Sequence, residues 1–147
     1  MRLEKVMHEG KLLALILGND YVRDGIHFFT PDDFSQQLAY MKRPKDYVID
    51  PHVHNPVVRN IQWTQEVLLI KSGKVRVDFY DDQRGYLESR VLDQGDVVLL
   101  AQGGHGFTML EESEIIEVKQ GPYAGEQDKT RFKGVPDGVI HIKEGSE

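Results

Sequence analysis

The chain has 147 residues, with 39% apolar and 29% charged side chains, the size and balance of one ordinary soluble domain. The formal net charge of −6 argues against a nucleic-acid partner, which would need a basic footprint. With no cysteine, disulfides, thiolate metal sites and cysteine nucleophiles are excluded.

Met1–Lys5 lacks the layout of a signal peptide. The longest apolar run, Leu12–Leu17, is too short to span a bilayer. The cytoplasm is therefore the default expectation. Bounded by Gly18-Asn19-Asp20, Leu12–Leu17 reads as a buried strand. Ile26–Phe29 is a second short strand. Thr30-Pro31-Asp32-Asp33 has the signature of a helix start, with Thr30 as N-cap and Pro31 in the first helical position. That helix is expected to run to about Met41, ahead of Pro44.

From Asp46 onward the pattern is strand-like. The expected strands are Tyr47–Val53, Ile61–Ile70, Lys74–Tyr80, Tyr86–Leu92, Val97–Ala101, Phe107–Leu110 and Ile115–Lys119. Lys71-Ser72-Gly73-Lys74 and Asp81–Gly85 separate them as turns. The polar stretch Gln120–Glu147 holds one weak strand candidate, Gly138–Lys143. Short strands at regular spacing indicate an all-β sandwich or barrel, here one domain over 1–147.

The chemistry-bearing residues are His52, His54 and Glu66. Residues i and i+2 of a strand share a face, so His52 and His54 can present two imidazoles to one point. Glu66 shares its face with Leu68 and Ile70. A carboxylate pointing inward among them needs a cation or a hydrogen-bonding partner, and a divalent metal held with both histidines would serve. A fourth candidate ligand, His105, lies in Gly103-Gly104-His105-Gly106. Gln65 falls on the face opposite Glu66. His8, His27 and His141 have no partners at ligand spacing.

His52-Val53-His54, then Glu66 and six residues to Gly73, resembles the first motif of the cupin superfamily. Gly95, Gly103 and a histidine resemble the second. The resemblance covers about Tyr47–Lys119. Three features depart from the pattern. Eleven residues separate His54 from Glu66, Ala101 stands where proline is usual, and His105 falls one residue early. The segments around Glu117–Tyr123 and Asp128–Phe132 are similar to small uncharacterised cupins associated with surface-polysaccharide and nucleotide-sugar genes.

The resemblance implies a double-stranded β-helix, the cupin jelly-roll barrel, to which the helix read from Thr30 adds one short N-terminal helix. It also implies one divalent transition metal (iron, manganese, zinc or nickel) on His52, His54, Glu66 and His105. Arg59, Arg131 and Tyr123 are candidates for gripping a small polar substrate, since arginine's fork suits phosphate and carboxylate. Three functions are consistent with this. One is metal-assisted isomerisation, epimerisation or oxidation of a sugar-like molecule. Another is a metal-independent nucleotide-sugar isomerase or epimerase with histidine as acid and base. The third is a non-catalytic ligand-binding barrel. A homodimer is expected, with Leu12–Leu17 as a candidate for strand exchange.

Overall fold

The computed structural model describes residues Met1–Gly145. Its elements, in order, are β1 (Leu3–His8), β2 (Lys11–Leu17), β3 (Gly25–Phe28), β4 (Ala39–Lys42), β5 (Glu66–Ser72), β6 (Lys74–Tyr80), β7 (Tyr86–Asp93), β8 (Val97–Leu100), β9 (Gly104–Met109) and β10 (Glu114–Lys119). Every strand pairing is antiparallel. The strands form a five-stranded sheet ordered β1-β2-β8-β5-β10, a three-stranded sheet ordered β7-β6-β9, and the ribbon β3-β4.

The two larger sheets share one core. Val6, Ala14, Ile16, Val98, Leu100, Leu68 and Ile70 of the first meet Val75, Val77, Phe79 and Leu92 of the second. These residues recur at i, i+2, as the strand period requires. Burying each large apolar side chain is worth about 1.5–3 kcal/mol.

The five-stranded sheet is covered on its other face too. Leu15, Leu99 and Ala101 pack there with Val67 against Phe29, Phe34 and Leu38. Burial on both faces explains why Leu12–Leu17 and Val97–Leu100 are continuous apolar runs without alternation.

The residues providing that cover are the ones read as a helix. Thr30–Leu38 contains no helix. Thr30 Oγ1 accepts a hydrogen bond from the amide of Leu38 at 3.2 Å instead of capping a first turn. The Gln37 side-chain amide donates to the carbonyls of Pro31 and Phe34, both at 2.9 Å. Local side-chain bonds of this kind compete with helix formation. Burial of Phe34 and Leu38 fixes the loop.

Other boundaries also moved. Tyr47–Val53 is not a strand, and the strand expected from Ile61 begins only at Glu66. β1 had not been anticipated. It pairs with β2 through a two-residue turn, Glu9-Gly10, whose positive φ values of 48° and 75° suit a hairpin of this twist. In place of a strand over Gly138–Lys143 there is a short 3-10 turn at Asp137–Val139 and a single bridge from Ile142 to Ser89.

Two glycines of the sequence motifs are required by the backbone. Gly73 has φ +86°, and a Cβ there would strike the Glu112 carbonyl and Ser113. Gly103 has φ +79°, and its Cβ would lie 2.8 Å from the Tyr80 carbonyl oxygen.

At the β1/β7 side the interior is polar. Arg90 is fully buried and donates to Glu88 at 2.6 Å and Glu4 at 2.5 Å. Arg2 adds bonds to Glu4 at 2.8 Å and to Asp96 at 3.1 Å. The C-terminal segment covers the outer face of the small sheet. Phe132 stacks edge-on to Tyr80 with centroids 5.1 Å apart, and the Val135 amide donates to Tyr80 Oη at 3.1 Å.

No helix among the described residues is long and apolar enough to cross a membrane.

Candidate acid–base site between the sheets

The register builds this site. On β5, Glu66 pairs with Leu100 of β8 and Lys119 of β10, and Leu68 pairs with Val98 and Glu117. Directly paired residues share a face, so Glu66, Glu117 and Lys119 point to the side where Leu68 and Ile70 enter the core. On the facing sheet, His105 pairs with Phe79 and Phe107 with Val77. Phe79 and Val77 are core residues, so His105 also turns toward the space between the sheets. The inward placement expected of Glu66 is present, and Gly103-Gly104 delivers His105 to the same face.

The two meet: His105 Nε2 lies 3.4 Å from Glu66 Oε2. Lys119 Nζ stands 3.7 Å from Glu66 Oε1 and 3.1 Å from Asp128 Oδ2. Thr64 donates to Asp128 in turn. The Glu66 side chain is 13% exposed and that of His105 is 30% exposed, so the pair is sheltered but reachable.

Charges are poised accordingly. The hydrogen bond from His105 holds the Glu66 carboxyl below its usual range, with further help from the His105 and Lys119 charges and a bond from Glu117. Glu117 moves the other way. Partial desolvation pushes its carboxyl up, and the Glu66 charge adds to this. The hydrogen bond to Asp128 raises the Lys119 ammonium. Two neighbouring carboxyls pushed in opposite directions are a known source of acid–base division of labour.

Sequence reasoning missed Glu117, Lys119 and Asp128. Glu117 and Lys119 lie at i+2 and i+4 from the core residue Ile115, a periodicity that could have found them.

His52 and His54 are elsewhere. They lie in the extended segment 43–64, where every residue is exposed. Their rings are edge-to-face with centroids 5.3 Å apart, and His52 Nδ1 is 2.9 Å from the Asp50 carbonyl oxygen. Among the described residues no three His, Asp or Glu side chains gather as a metal-holding group. Glu66 and His105 offer two donors, and the Lys119 ammonium already takes a cation's place beside the carboxylate. Within one chain, then, Glu66 and His105 of the four expected ligands are brought together, and His52 and His54 are not.

The three substrate-binding candidates are divided. Arg131 and Tyr123 line a cleft of about 340 Å³ with Lys119 and Asp128, next to the site. Arg131 also borders a cavity of about 530 Å³ that includes His105 and Phe107, and it pairs with Glu126 at 2.9 Å. Arg59 lies apart, lining a cleft of about 670 Å³ with Phe34 and Trp63. Gln65 faces away from the site as expected, accepting bonds from Ser35 Oγ at 3.2 Å and the Gln36 amide at 3.0 Å.

No family model matches the chain, and neither the curated proteins nor the solved structures contain a match to it.

Proposed function

We propose that this chain is a small-molecule enzyme that moves a proton with His105, held by Glu66, at the open corner between β9 and β10. The contact between His105 Nε2 and Glu66 Oε2 carries the reading. Glu66 accepts from the Nε2–H tautomer, which leaves Nδ1 with a free lone pair to act as base. The Lys119 ammonium is placed to steady negative charge developing on a substrate oxygen. Arg131 and Tyr123 border the adjoining cleft and suit a polar substrate of the sugar or sugar-phosphate class. Isomerisation or epimerisation next to a carbonyl is the matching reaction type.

The two antiparallel sheets are further read as a cupin-type jelly roll. Glu66 opens the strand that ends at Ser72, just before Gly73, and Gly103 precedes the strand of His105, in keeping with the motif resemblance.

The reading is tested by incubating the chain with a panel of keto-sugars and nucleotide-sugars in deuterated water. Deuterium should enter at the carbon next to the carbonyl of at least one member. The exchange should fall about 100-fold or more in His105→Gln, within the usual range for removing a general base. Equal exchange by His105→Gln would contradict the proposal.

A further inference from the structure

We infer that the segment 43–64 is an exchange arm that docks as an added strand on the free edge of β9 in a second copy of this chain, carrying His52 and His54 to that copy's Glu66–His105 site. The inference does not rest on the proposed proton transfer.

The arm is exposed along its whole length, yet it contains Tyr47, Val48, Ile49, Val53, Val57, Val58, Ile61 and Trp63. Val53 is 85% exposed and Val58 fully so. An apolar stretch of this size marks an interaction surface. Between residues 43 and 58 the contacts shown are local, and Arg59–Trp63 border a cleft shared with the 32–37 loop of the same chain. Arg43 lies over Tyr47, the Tyr47 amide reaches the Pro44 carbonyl, and Arg59 reaches the Val57 carbonyl. Rich in β-branched residues, Tyr47–Val53 has the composition of a strand but no strand beside it.

Among the described residues, the two larger sheets offer a suitable place. Each outer strand of the two larger sheets has an edge of unpaired amides and carbonyls, and three of these four are guarded. β7 is bridged by the C-terminal segment through Ser89, His141 and Lys143. β1 and β10 carry charged side chains and register breaks, at Val6/Met7 and Glu114/Ile115. β9, Gly104-His105-Gly106-Phe107-Thr108-Met109, has no Asp, Glu, Lys or Arg and an unbroken register against β6. It is also the strand that bears His105. A strand added there lies beside the acid–base site, where two residues at i, i+2 present both imidazoles on one face.

Charge favours the same match. Residues 43–64 carry a net +1 from Arg43, Lys45 and Arg59 against Asp46 and Asp50. β9 itself is uncharged, and the turn that follows it adds Glu111 and Glu112. Stable interfaces use about 20–30 residues a side, which the arm nearly supplies alone.

Sedimentation over micromolar concentrations should give about 34 kDa, twice the 16.8 kDa chain. A single-chain mass throughout would overturn the inference. The double variant Val53→Asp/Val57→Asp should weaken association about 100-fold or more with an unchanged far-ultraviolet spectrum, and undiminished association would overturn it. The docking place is read directly because the chain has no cysteine of its own. Val53→Cys labelled with a benzophenone, mixed with nitrogen-15 chain and irradiated, should give cross-links between chains that map to Gly104–Met109. Cross-links confined within one chain, or mapping elsewhere on the partner, would overturn it.

Discussion

Arg90 of β7 and Glu4 of β1 meet at 2.5 Å across the space between the two sheets, fully inside the protein. At the opposite side Glu66 and His105 also link the sheets, at 3.4 Å. The apolar core thus ends in a polar cluster on both flanks. The first cluster is sealed and the second is open, and that difference separates a structural role from a chemical one.

Arg90 supports the first cluster. Glu88 and Glu4 both rely on its guanidinium, and truncation leaves buried carboxylates short of a counter-charge. Arg90→Ala should cost about 3–5 kcal/mol, the range for breaking a buried ion network. Urea unfolding followed by circular dichroism measures it. A loss under about 1 kcal/mol would mean that the cluster contributes little.

Glu117 should respond with the opposite sign. Its carboxyl is pushed up, so folding favours its neutral form. Stability from this group is present at low pH and lost as pH rises through the raised value. Glu117→Gln should therefore stabilise the protein at neutral pH, by under about 1 kcal/mol because the site is exposed. The gain should fade in acid, where Glu117 is already neutral. Thermal melts at several pH values would show this.

Much of this organisation was legible in the sequence. The period-two pattern of Lys74–Tyr80 and the apolar runs at Leu12–Leu17 and Val97–Leu100 became strands where expected. The inward face of Glu66 followed from Leu68 and Ile70. Thr30-Pro31 misled because Thr30 Oγ1 bonds forward to the Leu38 amide instead of capping a turn, and because the packing of Phe34 against the sheet is tertiary, which a local helix signal cannot register. Tyr47–Val53 misled for a related reason. Its composition suits a strand, but a strand forms only where a neighbouring edge accepts it. The Glu117–Lys119 part of the site was hidden because its partner, β5, lies about fifty residues earlier in the chain.

The melting temperature of the Val53→Asp/Val57→Asp variant, whose arm is kept off the second copy, should not change on treatment with a chelator. Lys119 already balances Glu66, and His52 and His54 are not gathered with it in one chain. Differential scanning fluorimetry with and without chelator, on protein never exposed to a nickel column, checks this. A marked drop, with about one metal ion per chain by elemental analysis, would restore the four-ligand reading of His52, His54, Glu66 and His105.

The coupling of Glu66 to His105 is tested most directly by titrating the Glu66 carboxyl carbon by nuclear magnetic resonance, in the natural chain and in His105→Ala. The hydrogen bond from His105 is the largest influence holding Glu66 below its ordinary value of 4.5. Because the folded value is lowered, the stability that Glu66 contributes is complete above about 4.5 and lost as pH falls through the lowered value. The midpoint should lie below 4.5 in the natural chain and move upward in His105→Ala. A midpoint at or above 4.5, or one that stays in place when His105 is removed, would contradict the pairing on which the site is built.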